Sequence, residues 1–459
     1  MLRSGIIFRI FFVIFTALKR CIMELKRNAV VVIHGIGDPR PMDTLRNFVA
    51  AVQKCLGKQD IAELKSVIRS KPDKMDSGFE TRMLRLSRSR KRAPTDFYEF
   101  YWAHHMKDNK FSDFSAWIYK LLRTSGKEVP ANLKSIWVML RVMIVISVLI
   151  FAAILCIKPF QAFYSWLTSL SAVALIASAV LWFLKRIFLS LAGDAGRYFT
   201  PSACNVESRF EIRRKGIELL RSLHACGKYD RIILVGHSLG SVIGYDLLRL
   251  LWCEVHDTFG KTERIRQAAL KQVDRYAKEA AGVDFKPSAK FAAKFQEAQR
   301  ACFHEYRSMG LNWLISDFIT IGSPLCNMDF LSGSKIPFQT LVKDREYPCC
   351  PPLNDEPGNA VYYLKHEVLP SGSWSFKTLH HAGVFAVTRW TNIFFTHDFI
   401  GGRVSRLFGP GVKDIEIKKP VSRLLLGGHT MYWTDKEDEK AIRQICRALN
   451  LKEDTEQLS

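Results

Sequence analysis

Arg231-Ile-Ile-Leu-Val-Gly236-His237-Ser238-Leu239-Gly240-Ser241 is the stretch that decides the fold. Ile232 to Val235 form an uninterrupted apolar run after Arg231, the mark of a strand buried on both faces in a parallel sheet. Gly236, Ser238 and Gly240 then make a G-x-S-x-G sequence, and an apolar helical pattern follows from Ser241 to about Val255. A strand that turns at once into a helix forces a strained backbone on the serine between them. Only glycines at the flanking positions let the neighbouring backbone pass. The turn holds the Ser238 hydroxyl out at the end of the sheet. It also leaves the first N–H groups of the helix without intrahelical partners, so that Leu239 N–H faces any oxyanion formed beside Ser238.

Working outward, Ala29 to Ile33 reads as a second fully buried strand that ends in His34-Gly35-Ile36-Gly37, and a helix is expected from Asp43 to about Leu56. Short strands are expected at Met83 to Leu86 and Phe97 to Trp102, with a very basic turn between Arg88 and Arg92. Beyond the middle of the chain come a charged amphipathic helix from about Asn205 to His224, strands at Phe318 to Gly322, Arg389 to Phe395 and Val421 to Leu426, and a final helix before a polar tail. Between these lie a basic, Ala-rich helical insertion over 262–307 and a loop-rich insertion over 324–388, with a Pro-rich loop from Pro348 to Pro357.

Two motifs together resemble the α/β-hydrolase superfamily, in particular its esterases and lipases, which pair an early H-G-x-G loop with G-H-S-x-G. Here these are His34-Gly35-Ile36-Gly37 and Gly236-His237-Ser238-Leu239-Gly240. The resemblance implies an α/β fold with a mostly parallel sheet flanked by helices. It implies Ser238 as nucleophile, and an oxyanion hole made by the N–H groups of Ile36 and Leu239. It also implies the chain order serine, acid, histidine. Asp398, at the end of the Arg389 to Phe395 strand, is the acid best placed, ahead of Asp329, Asp344, Asp355 and Asp435. His429, in the Gly427-Gly428-His429 loop, is the base, and its continuation Thr430-Met431-Tyr432-Trp433 resembles the H-x-x-Y/W ending of related hydrolases. His380, His381 and His397 stand before or beside the acid and break the order. Ser323 reads as structural.

The expected activity is hydrolysis of a carboxylic ester, lipid esters included, through an acyl-enzyme. A thioesterase or protein deacylase would use the same triad, and an inactive hydrolase fold serving as a scaffold is the reading from another class.

Two apolar segments, 136–157 and 160–184, are each long enough to cross a bilayer and are separated by Lys158 and Pro159 alone. Lys120, Arg123, Lys127 and Lys134 precede the pair, and Lys185, Arg186 and Arg197 follow it. This predicts a two-helix transmembrane hairpin over 131–190 with both flanks cytoplasmic, interrupting a hydrolase domain formed by 23–130 and 191–459. Residues 1–22 read as an apolar extension or weak anchor, with Met1 and Met23 both open as the start.

The chain has 459 residues and a formal charge of +23, which favours polyanionic partners. In the absence of a zinc-finger or RNP pattern, the anionic face of a membrane is expected rather than nucleic acid. The eleven cysteines show no repeated C-x-x-C spacing and read as reduced thiols. No metal site is expected from the adjacent pairs His104-His105 and His380-His381, and no phosphate-cradling loop or other cofactor motif is present. Oligomeric state is not legible.

Overall fold

Ala29, Val31 and Ile33 contribute to one hydrophobic cluster and Val30 and Val32 to another, so a single strand feeds two cores. That alternation follows from the two-residue period of an extended chain and requires a sheet covered on both faces. In the computed structural model of the chain the described residues are 27–35, 40–59, 67–73, 82–89, 92–106, 122–126, 129–130, 198, 203–259, 267–331, 336–354, 361–369, 372–396, 398, 400–418, 428–435 and 438–451, with scattered positions from 134 to 149.

The strands are β1 (Asn28–Ile33), β2 (Ile68–Pro72), β3 (Arg82–Leu86), β4 (Thr95–Phe100), β5 (Arg231–His237), β6 (Ile315–Ile321), β7 (Tyr362–Leu369), β8 (Gly372–Leu379), β9 (Arg389–Phe395) and β10 (Lys413–Ile417). Eight of them form one sheet in the order β10-β9-β6-β5-β1-β4-β3-β2, and β7 pairs with β8 in a separate hairpin. From β10 to β4 all pairings are parallel, while β3 and β2 add on antiparallel at one edge.

The helices are α1 (Asp43–Gln59), α2 (Ala203–Ala225), α3 (Leu239–Val255), α4 (Ala268–Ala280), α5 (Ala289–Ser308), the short α6 (Met328–Leu331), α7 (Phe338–Lys343) and α8 (Ser405–Phe408), and the final α9 (Lys440–Leu449). α1 and α9 cover one face: Leu45, Phe48 and Val52 of α1 and Ile442, Ile445 and Leu449 of α9 pack with Ile233, Val235 and Ile319. α2 to α5 cover the other, where Leu220, Ile243, Trp252 and Phe295 join Leu234 and Phe318. Arg231, buried at the start of β5, pairs with Asp317 at 2.7 Å and donates to the carbonyls of Leu449 and Asn450. It thus ties the C-terminal end of α9 to the sheet, where a cation suits the helix dipole.

The α/β class, the mostly parallel sheet and the flanking helices agree with the reading of the sequence. The chain leaves β1 toward β4 on one side and returns through β5 on the other. The C-terminal ends of β1 and β5 therefore flank a topological switch point, where open α/β sheets form a crevice.

Three expectations are corrected or extended. Among the described residues no helix is long and apolar enough to cross a membrane. This overturns the multi-pass integral-membrane assignment and the cytoplasm-facing placement built on it. Spanning needs about 20 consecutive apolar residues in one helix, and no described helix supplies them. Most of segments 136–157 and 160–184 lies outside the described residues. The 324–388 insertion holds the β7–β8 hairpin, and the 262–307 insertion divides into α4 and α5. The expected strand from Val421 to Leu426 falls wholly outside the described residues, as does 1–22, and the last described strand is β10.

Candidate functional site

Ser238 stands between β5 and α3 with φ 51° and ψ −127°, a backbone that L-residues rarely adopt. The fold holds it there from several sides. Its N–H donates to Ile321 O at 2.9 Å, which fixes the turn to β6. Ser241 Oγ donates to Ser238 O at 2.5 Å and lies 2.6 Å from Ser323 Oγ. Because the Ser241 proton is committed to that carbonyl, the Ser323 hydroxyl is the donor between the two serines, and it accepts in turn from Leu325 N–H at 3.2 Å. Ser323 is therefore structural, as expected, and its work is to clamp the strained turn.

The glycines are explained by contact. A Cβ on Gly236 would lie 2.5 Å from Ser241 Cα, and one on Gly240 would lie 2.5 Å from His34 O. A Cβ on Gly35 would lie 2.8 Å from Ser238 Cβ and 2.9 Å from His237 Nδ1. The loop after β1 thus rests directly on the serine turn. His34 is buried and stacks on Trp102 with 5.0 Å between ring centroids. Its Nδ1–H donates to Gly35 O at 2.8 Å and its Nε2 accepts from Trp102 N–H at 3.3 Å. Burial lowers its pKa to about 4, so the ring is neutral and shapes the loop. Ile36 and Gly37 lie outside the described residues.

Asp398 and His429, 31 residues apart in sequence, are in contact: His429 Nδ1 is 2.8 Å from Asp398 Oδ2 and 3.0 Å from Oδ1. Both are buried. Burial pushes the Asp398 carboxyl up, but the adjacent His429 ring, the hydrogen bonds from His429 and Tyr432, and the Gly401 N–H outweigh it and hold the group below its ordinary value. Ile400 N–H adds a further bond at 2.9 Å. An ionised carboxylate only accepts, so Nδ1 of a neutral His429 must carry the proton, and Nε2 is left with the lone pair.

His429 reaches the serine turn through its surroundings. His237, immediately before Ser238, stacks on the His429 ring with 5.1 Å between centroids and donates from Nε2 to His429 O at 3.1 Å. Burial, then the proximity of His429, lowers the His237 pKa to about 3, which keeps it a neutral donor. Gly322, at φ 56°, ends β6 beneath the pair: a Cβ there would lie 2.9 Å from His429 Cε1 and 3.1 Å from Asp398 Oδ2. Ser238 Oγ is buried and makes no hydrogen bond among the described residues. Leu239 opens α3, buried, with Ser238 offering no side-chain cap to the helix N–H groups.

Tyr432 is the participant that the sequence reading named only within an ending motif. Its hydroxyl donates to Asp398 Oδ2 at 2.7 Å and accepts from Phe395 N–H at 3.1 Å, and its ring stacks on Phe395 at 4.1 Å. Its place three residues after His429 in the ending motif was the available signal. The second role of His237 left no signal beyond the motif. Among the described residues no group of His, Cys, Asp and Glu side chains is arranged to hold a metal ion. Comparison of the chain with family models, curated proteins and solved structures finds no match.

Proposed function

We propose that the chain is a serine hydrolase of the α/β-hydrolase type that cleaves carboxylic esters through Ser238, His429 and Asp398. The observation that carries this reading is the left-handed Ser238 turn at the sheet's switch point, stacked through His237 against a histidine whose Nδ1 is held by a buried carboxylate. Such a turn costs of order 1–3 kcal/mol and persists where the surrounding structure enforces it.

His429 Nε2 takes the Ser238 proton as Oγ attacks the ester carbonyl carbon. Asp398 keeps the other ring nitrogen protonated and stabilises the imidazolium that results. The tetrahedral oxyanion is met by Leu239 N–H, and on the resemblance alone by Ile36 N–H. Collapse breaks the ester C–O bond, and the imidazolium returns its proton to the departing alcohol. A water deprotonated by the same nitrogen then attacks the acyl-enzyme and releases the acid. Each half of the cycle uses one proton and one histidine.

The test is hydrolysis of a panel of p-nitrophenyl esters of increasing acyl length by purified protein. Ser238→Ala is expected to lower kcat by at least about 10³-fold, leaving only the contribution of binding and oxyanion donors. A folded Ser238→Ala protein with full activity would overturn the assignment.

A further inference from the structure

On the opposite face of the sheet from α3, α1 and α9 pack against one another. A cavity of about 530 Å³ opens there, lined by Cys55 and Lys58 of α1 and by Glu439, Arg443 and Arg447 at α9. Cys55 sits over one turn of α9: its Sγ is 3.9 Å from Ile442 O, and its thiol is hydrogen-bonded to that of Cys446, four residues further along the same helix. The two sulfurs, 391 positions apart in the chain, therefore meet across a helix interface. Both side chains are buried, and Cys55 is among the residues that line the cavity.

The cavity also favours a thiolate. Lys58, Arg443 and Arg447 set three cations against the Glu439 carboxylate, which Lys58 at 2.5 Å, Arg443 at 3.5 Å and Lys54 at 3.6 Å all approach. The hydrogen bond from Cys446 first, then Arg443 and Lys58, lower the Cys55 pKa to about 7 against the opposing effects of burial and Glu439, whereas Cys446 is pushed up by its bond to Cys55 and by burial. Cys55, which lines the cavity, is the sulfur that a small oxidant reaches first. A thiol that faces a cavity beside cations and a second thiol is the kind of site that oxidants select.

We propose that Cys55 and Cys446 are a peroxide-responsive thiol pair, whose oxidation closes a disulfide that staples α1 to α9. The Cys55 thiolate attacks one oxygen of a hydroperoxide, the S–O bond forms as O–O breaks, and the leaving hydroxide or alkoxide takes a proton from solvent. Cys446 then loses its proton and attacks the Cys55 sulfenic acid. The S–S bond forms, S–O breaks and water leaves. Two thiols lose two electrons and the hydroperoxide gains them. This chemistry is independent of Ser238 and stands or falls apart from the hydrolase reading.

The test uses the full chain at pH 7 with hydrogen peroxide, followed by alkylation and peptide mapping without reduction. The expected result is a linked pair of peptides carrying Cys55 and Cys446, 2 Da lighter than the sum of the reduced peptides and separated again by dithiothreitol. In Cys446→Ser, dimedone is expected to trap sulfenic acid at Cys55. Lys58→Met with Arg443→Met should slow Cys55 alkylation at pH 7 by about fivefold, the loss of thiolate for a rise of about one unit. Folded wild-type protein in which both cysteines remain alkylatable after peroxide, while exposed Cys253 is oxidised, would overturn the proposal.

Discussion

Asp398 accepts from His429, from Tyr432 and from main-chain N–H groups, and every one of these bonds favours its charged form. Replacing it by asparagine puts an amide where an acceptor must be, and its NH₂ group can turn the imidazole to the tautomer that carries no lone pair toward the serine. Asp398→Asn is expected to lower kcat for ester hydrolysis by about 10³–10⁴-fold with little change in KM. Steady-state kinetics on a variant of unaltered melting temperature checks this, and a loss below tenfold would count against the role. The contact between Asp398 and His429 was legible because chain order and strand ends restrict the choice to few residues. Tyr432 and His237 were not. A tyrosine that steers a carboxylate and a histidine that holds a carbonyl look, in sequence, like any other aromatic pair, and only packing brings them to their partners.

At the scale of elements, the N-terminus of α1 depends on a buried acid. Glu99 of β4 is 1% exposed, and its Oε2 accepts from Met42 N–H at 2.6 Å. Burial raises its pKa from 4.5 to about 7, against the hydrogen bonds from the Met42 and Leu45 N–H groups. The folded value lies above the unfolded one. The protonated acid therefore favours folding below pH 4.5, and that advantage is lost as the pH rises through about 7. The contribution is about 3 kcal/mol, from the rise of the folded value above the unfolded one. Urea unfolding of wild type and Glu99→Gln at pH 5 and pH 8 measures it: wild type should lose stability relative to the variant by about that amount at pH 8. Parallel pH dependences would contradict the account.

Element legibility follows the same physics of burial. β1 and β5 carry long apolar runs and β9 ends in Ile-Phe-Phe, and all three were read within a residue or two of their ends. β2 and β10, Ile-Arg-Ser-Lys-Pro and Lys-Asp-Ile-Glu-Ile, are half-exposed edge strands whose charges hide the pattern. Among the described residues β7 and β8 pair with each other alone, so neither needs the apolar run that marks a central strand. The apolar stretch from 136 to 184 misled in the opposite direction. Length and hydropathy state that a surface must be covered and leave open what covers it.

For the whole molecule, the strand order places the loop after β1 and the turn after β5 side by side, and β6 and β9 deliver Gly322 and Asp398 to the same end of the sheet. Two separate cores make that end rigid from both faces. The α/β class was visible from alternating buried strands and amphipathic helices. The order of strands was not, because parallel pairing is set by contacts distant in sequence. The central claim is that this arrangement activates one serine among all those in the chain. The most direct measurement is intact-mass and peptide mapping of the full-length protein after a fluorophosphonate, which phosphonylates an activated serine. The account predicts one adduct, on Ser238, absent from heat-unfolded protein and from folded His429→Ala. A well-folded protein that takes up no adduct, or takes it on another serine, would contradict it.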